Sequence, residues 1–217
     1  VSSTQLLIVL DVDSTLTQDE GIDLLARRVS PEVADRVAGI TTRAMNGELD
    51  FAQSLIERVE TLQGVTLEQV AHATSQVRLS VGAQLLIDTL HAHGHLVAAV
   101  SGGFHEMLDP LAASVGLDMH HANRFVTKNG VLTGKVAGPI VDASSKAATL
   151  RRWADEHGIA EHNTVAVGDG GNDVEMMVAA GMGISYMGKP VTKKAADRCI
   201  DVPDLSLVLQ ELGISRA

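Results

Sequence analysis

The 217-residue chain has one cysteine, five aromatic residues and no cluster of lysine or arginine. The lone Cys199 cannot build a disulfide framework or a cysteine zinc site, which points to a reducing compartment, the cytoplasm. It stands next to Ile200 and is expected to be buried and inert. Phe51, Phe104, Phe125, Trp153 and Tyr186 are too few and too scattered to stack the bases of a single nucleic-acid strand. Lys and Arg total 17 against 27 Asp and Glu, a formal charge of −10. The only close basic pairs, Arg27-Arg28, Arg151-Arg152 and Lys193-Lys194, are expected on solvated helix faces. That balance argues against nucleic-acid and membrane-surface partners. No apolar run approaches the roughly 20 residues that span a bilayer. The run at 6–10 has no basic stretch before it and is too short for a signal peptide.

What is present is a foldable α/β chain. Hydrophobic residues make up 45%, a globular proportion. At roughly 150 residues per domain, the length fits one large domain or one domain carrying an insertion. Short apolar runs at 6–10, 96–100, 164–167 and 182–186 each end in a polar or glycine-rich turn, as strands buried on both faces of a parallel sheet do. Helical patterns at 83–93, 144–157 and 174–180 lie between them. The alternation predicts a doubly wound, Rossmann-like parallel sheet, in which ligands bind beyond the carboxyl ends of the strands.

Residues 17–77 break the alternation. They show helices and no convincing strand. Ser30-Pro31 is a helix start, and Asp50…Gln53 and Thr66…Gln69 read as capping boxes. An α-helical bundle of about 60 residues is therefore expected after the first strand, with 1–16 and 78–217 forming the core. Asn129-Gly130 inside 123–136 signals a two-residue hairpin.

Four strand ends carry the chemistry. Asp11 and Asp13, two apart on an extended segment, point the same way. They repel unless neutralised, and hard carboxylate oxygens suit a divalent cation such as Mg²⁺. Gly168-Asp169-Gly170-Gly171-Asn172-Asp173 repeats the theme at another strand end, with glycines that let backbone approach a ligand. Ser101-Gly102-Gly103 reads as a turn opening a helix, whose free N–H groups bind phosphate. Lys146 stands near a helix start, where a lysine is ordinarily a surface residue. In conjunction these pieces are far more specific than any one alone. Asp11-x-Asp13-x-Thr15, then Ser101, then Lys146, then Gly168-Asp169-Gly170-x-Asn172-Asp173 resembles the haloacid-dehalogenase superfamily of phosphatases over almost the whole chain.

The resemblance implies that Asp11 attacks phosphorus and that Asp13 is the acid and base. It implies Mg²⁺ held by the Asp11 and Asp169 side chains and the Asp13 carbonyl, with Asp173 in support. Ser101, the Gly102 amide and Lys146 would bind phosphoryl oxygens, and Asn172 would join them at the substrate.

Within the bundle, Phe51, Leu55, Arg58 and Leu62 share one helix face. One arginine thus interrupts an apolar stripe, either to reach water or to meet an anion as a bidentate fork. Glu20, seven residues after Asp13, is the complementary charge. Asp11-x-Asp13 with Glu20, then Met45-x-Gly47-x-x-x-Phe51-x-x-Ser54-Leu55-x-x-Arg58, then Ser101-Gly102-Gly103-Phe104, is similar to the phosphoserine phosphatase family. That likeness implies that Glu20 takes the amino group and Arg58 the carboxylate of O-phospho-L-serine. Met45 and Phe51 would close the apolar side, with the bundle as a lid. The expected partner is thus a small phosphate ester, and the expected state a monomer or homodimer. Two rivals stay open: the same chemistry or phosphotransfer on another small phosphate such as phosphohomoserine, and a receiver-like phospho-accepting module. His91, His93, His95, His120 and His121 are set aside as metal ligands, and Met176-Met177 is read as core filler.

Overall fold

The computed structural model describes residues 4–215. Seven strands, β1 (Leu7–Leu10), β2 (Leu96–Phe104), β3 (Met119–Lys128), β4 (Val131–Ala137), β5 (Thr164–Gly168), β6 (Met182–Tyr186) and β7 (Arg198–Ile200), form one sheet in the order β4-β3-β2-β1-β5-β6-β7. All neighbours pair in parallel except β3 and β4. The first strand is central, so the end of β1 lies between the ends of β2 and β5. Ten helices accompany the sheet among the described residues: α1 (Gly21–Val29), α2 (Pro31–Met45), α3 (Phe51–Glu60), α4 (Leu67–Thr74), α5 (Ala83–Ala92), α6 (His105–Val115), α7 (Ala143–Glu156), α8 (Val174–Ala179), α9 (Pro190–Ala195) and α10 (Val208–Glu211). None is long and apolar enough to cross a membrane.

The period of two along each strand divides the core between the faces of the sheet. Ile8, Leu10, Val97, Ala99, Val165 and Val167 meet Leu86, Ile87 and Leu90 of α5 on one face. Leu7, Val9, Ala98, Val100 and Ala166 meet Leu150 and Trp153 of α7 and Met176 and Met177 of α8 on the other.

Helices α1–α4 form the inserted bundle. Ser30 caps α2 with Pro31 at its first position, and Asp50 and Thr66 close capping boxes on α3 and α4. Its core of Leu25, Val37, Leu55, Val59, Leu62 and Val70 is continuous with Phe104, Met107, Phe125 and Leu132, so the bundle packs on the β2–β4 side of the sheet. Two crossings tie it to the sheet at the neck, where Thr17 bridges Leu79 and Ser80 N–H bonds Leu16 O at 2.9 Å. Asp19 accepts from Arg78 N at 2.9 Å and Nη2 at 2.8 Å.

The hairpin at Asn129-Gly130 joins β3 and β4 with φ of 52° and 76°, as a type I′ turn requires. Two local expectations need correction. The chain stays extended through Phe104, so Ser101-Gly102-Gly103 ends a strand and the helix opens only at His105. Asn123 of β3 is the reason: its amide donates to Gly102 O at 2.9 Å and accepts from Val141 N at 2.8 Å, which holds this end of β2 beside β3. Cys199 is exposed, because β7 is a three-residue edge strand paired on one side only.

Candidate active site

The carboxyl ends of β1, β2 and β5 and the facing side of the bundle enclose a cavity of about 680 Å³. Asp11, Asp13, Glu20, Phe51, Arg58, Gly102, Asp169 and Asn172 all line it. Asp11 follows β1 directly, and its N–H continues the parallel ladder by bonding Val167 O at 2.8 Å. The chain then makes one wide turn over Val12–Leu16, with Ser14 in the left-handed region at φ 60°. Strain of this kind concentrates at functional sites.

Lys146 lies beneath the cavity rather than on its wall, and it is fully buried. It sits in the first turn of α7, where Asp142 caps the helix by accepting from Ser145 N at 2.8 Å. Its ammonium donates to Asp11 Oδ1 at 2.5 Å and to Asp173 Oδ1 at 2.7 Å. Burial alone would lower this lysine, but Asp11 and Asp173 outweigh it and hold it above the ordinary range. Asp173 turns its other oxygen to Gly170 N at 3.0 Å and Asp169 N at 3.2 Å. Both of its oxygens are thus engaged, and it braces the Asp169 loop from behind. Gly168 permits this, since a Cβ there would lie 2.4 Å from Asp173 Oδ2.

The acidic groups are held in unfavourable surroundings. Burial, then the neighbouring Asp173, pushes Asp11 well above the usual carboxylate range, with Lys146 opposing. Burial and Glu20 push Asp13 up to about 7, opposed by the Gly21 N–H, Lys146 and Arg58. Asp169 is pushed up to about 6 by burial, Asp173 and Glu20, with Lys189 opposing. Carboxylate oxygens of Asp11, Asp169 and Asp173 lie within 4.8 Å of one another. These are hard oxygen donors whose negative charge Lys146 offsets only in part, and the set fits a divalent cation.

Across the cavity, Ser14 Oγ donates to Glu20 Oε1 at 2.6 Å. Arg58 Nε donates to Ser54 O at 3.2 Å. Arg58 is held below its ordinary value by burial, opposed by Asp23, Glu20 and Asp13. The ring of Phe51 lies over Gly102, where a Cβ would come 2.7 Å from Cζ. Besides Lys146 and Asp173, two selected residues stand off the wall. Ser101 is buried behind it, with its Oγ accepting from Gly103 N at 2.8 Å. Met45 is 78% exposed, beside a separate groove that it shares with Phe51 and Arg58.

The cavity also takes in Asp142, Ser144, Glu175 and Lys189, to which the sequence pattern gave no weight. Lys189 had a signal: it follows the polar turn Met187-Gly188 at the end of β6. Its N–H and Thr192 Oγ both bond Asp169 O, at 3.0 and 2.8 Å, and fix that loop. Elsewhere, His105 and His120 meet at Asp109 Oδ1, at 2.6 and 2.8 Å.

Residues 8–178 match the model of the haloacid dehalogenase-like hydrolase family. A phosphoserine phosphatase of Streptomyces coelicolor is 48% identical over 98% of this chain, which spans 51% of that relative. One of Streptococcus thermophilus is 45% identical over 98% of both chains. A solved phospho-aspartyl intermediate analogue of phosphoserine phosphatase superposes with a TM-score of 0.89 at 40% identity, covering 96% of this chain and 99% of that one. The chain therefore belongs to the haloacid dehalogenase-like hydrolases, on the branch that carries the phosphoserine phosphatases.

Proposed function

We propose that this chain is a Mg²⁺-dependent phosphomonoesterase that converts O-phospho-L-serine to L-serine and phosphate through a phosphoryl group on Asp11. One observation carries the reading: a single cavity has Asp11 and Asp13 on its sheet side and the opposite charges Glu20 and Arg58 on its bundle side. The first pair suits phosphoryl transfer and the second suits the two charges of an amino acid. Relatives that bear the name phosphoserine phosphatase support the choice of substrate.

Asp11 attacks phosphorus as the bond to the serine oxygen breaks, and Asp13 protonates that oxygen. Water then attacks phosphorus, Asp13 takes its proton, and phosphate leaves with Asp11 regenerated. Lys146 stays on Asp11 Oδ1 throughout and balances its charge. The Gly102 amide and Asn172 bind phosphoryl oxygens from the wall, and Ser101 Oγ, which accepts from Gly103 N behind it, donates its hydroxyl proton toward them. The Asp11 and Asp169 carboxylates and the Asp13 carbonyl would hold Mg²⁺, whose charge offsets that of the carboxylates and the phosphate dianion. Glu20 pairs with the substrate ammonium and Arg58 with its carboxylate. Residues 17–77 act as a cap over a core of 1–16 and 78–217, closing Met45 and Phe51 over the substrate. The exposed position of Met45 is consistent with an open cap.

A panel of phosphate esters, with and without Mg²⁺, tests the reading. Sustained phosphate release from phosphoserine, lost on chelation, is expected. Preference for phosphohomoserine would reassign the substrate, and a single stoichiometric phosphorylation would favour a receiver-like module.

A further inference from the structure

Asp13 belongs to the sheet side of the cavity, yet the bond that orients its carboxylate comes from the bundle. Gly21 is the first residue of α1, and its N–H donates to Asp13 Oδ1 at 2.8 Å. The first N–H groups of a helix have no partner within it, so this donor is available without loss to α1. The glycine is not there for its backbone angle, since Gly21 is not among the positive-φ residues. A Cβ would lie 3.2 Å from Met107 Sδ, the flexible end of a side chain that can give by a few tenths of an ångström, and in ordinary contact with Asp13 Oδ1 at 3.5 Å, so alanine fits here. Asp13 Oδ2 turns the other way, 3.3 Å from where a Cβ on Gly103 would sit.

We propose that Gly21 is a positioning residue for the acid and base Asp13: its N–H holds Oδ1 as a fixed acceptor and leaves Oδ2 to exchange the proton with the serine oxygen or the attacking water. The inference rests on the role proposed for Asp13 above. The proton balance is simple. In the first half-reaction the Oδ2–H bond breaks, the proton goes to the departing serine oxygen, and the electron pair of the P–O bond stays with that oxygen. In the second, water gives its proton back to Oδ2 as its oxygen bonds phosphorus. The same contact makes the first turn of α1 part of the acid-base apparatus, so the bundle contributes to chemistry as well as to substrate recognition.

The test removes one N–H. Proline is favoured at the first position of a helix. Glu20 before it already has the extended backbone that a following proline requires, with φ −89° and ψ 115°. Gly21→Pro replaces the donor hydrogen with a ring carbon that also crowds Asp13 Oδ1, Gly21→Ala keeps the donor with one added methyl, and a semisynthetic ester between Glu20 and Gly21 removes the N–H alone. With phosphoserine, Gly21→Pro is expected to lower kcat roughly 10- to 100-fold, a share of the 10²–10⁴ that acid-base catalysis supplies. KM is expected to change far less. An aryl phosphate with an acidic leaving group needs less protonation and is expected to lose less in the phosphoryl-transfer step, followed by release of the phenol in a single turnover. Gly21→Ala is expected to recover most of kcat. Should Gly21→Pro fail to fold, the ester chain removes the same N–H and keeps the backbone shape. The same fall in kcat is expected of it. Equal losses in the variant that lacks the N–H and in Gly21→Ala, or a loss confined to KM, would overturn the proposal. Failure of the wild-type chain to hydrolyse phosphoserine would instead overturn the functional reading, so the two failures are distinguishable.

Discussion

The two sides of the cavity are built differently. The sheet side is a buried network in which Lys146, at zero exposure, joins Asp11 and Asp173, and Asp173 in turn holds the Asp169 loop. The bundle side is a wall of longer, more accessible side chains. Glu20 is exposed and held by one hydroxyl, and Arg58 bonds a carbonyl of its own helix. The first arrangement fixes charges before a ligand arrives, as phosphoryl transfer needs. The second leaves charges that, in the proposed function, meet an amino acid. A buried ion network is coupled to the fold, whereas the exposed Glu20 and the half-buried Arg58 are coupled to the substrate in the proposed function, so substitutions on the two sides should fail in different ways.

The largest expected effect is at Lys146. Lys146→Met leaves two buried carboxylates without their cation and should lower stability by about 3–5 kcal/mol. Turnover should be lost as well, and denaturant melts beside activity assays would show both.

The pH dependence of the metal-free chain comes next. Asp169 is pushed up to about 6 and Asp13 to about 7, whereas both titrate near 3.9 when unfolded, roughly the free value. The folded chain then binds more protons than the unfolded chain across this window. Stability is therefore full below about pH 4 for these groups and is lost as pH rises through about 6 to 7. Thermal melts without metal should show Tm falling across that range, and Mg²⁺ should raise Tm more at its upper end. An unchanged Mg²⁺ effect across the range would separate the sheet side from metal binding.

Arg58→Ala should act on the substrate rather than the fold. Loss of charge-assisted bonds worth about 1.5–3 kcal/mol corresponds to a roughly 10- to 100-fold drop in kcat/KM for phosphoserine. An aryl phosphate should be much less affected, and equal losses on both would remove the distinction between the two sides. The smallest effect is expected at Thr66, which caps α4 away from the cavity. Thr66→Ala should lower stability by about 1 kcal/mol and leave turnover unchanged.

Local signals in the sequence were reliable where chemistry is local. The capping residues at Ser30, Asp50 and Thr66, the Asn129-Gly130 turn and the strand ends before Asp11 and Asp169 all follow from neighbouring residues. Features that depend on distant partners were not legible in that way. A lysine near a helix start is ordinarily exposed, and the buried Lys146 has its charge met by Asp11, 135 positions away, and Asp173, 27 positions away. The extended Ser101-Gly102-Gly103 depends on Asn123. Cys199 is exposed because β7 has a neighbour on one side alone. The family resemblance reached Lys146 as a site residue where residue type by itself did not.

In the proposed reaction Asp11 receives the phosphoryl group. Rapid acid quenching during phosphoserine turnover, followed by mass mapping of the peptides, tests it directly. A phosphoryl group is expected on the peptide segment carrying Asp11, and none in Asp11→Asn freed of deamidated protein. A phosphoryl group on another residue, or sustained turnover by that variant at the wild-type rate, would contradict it.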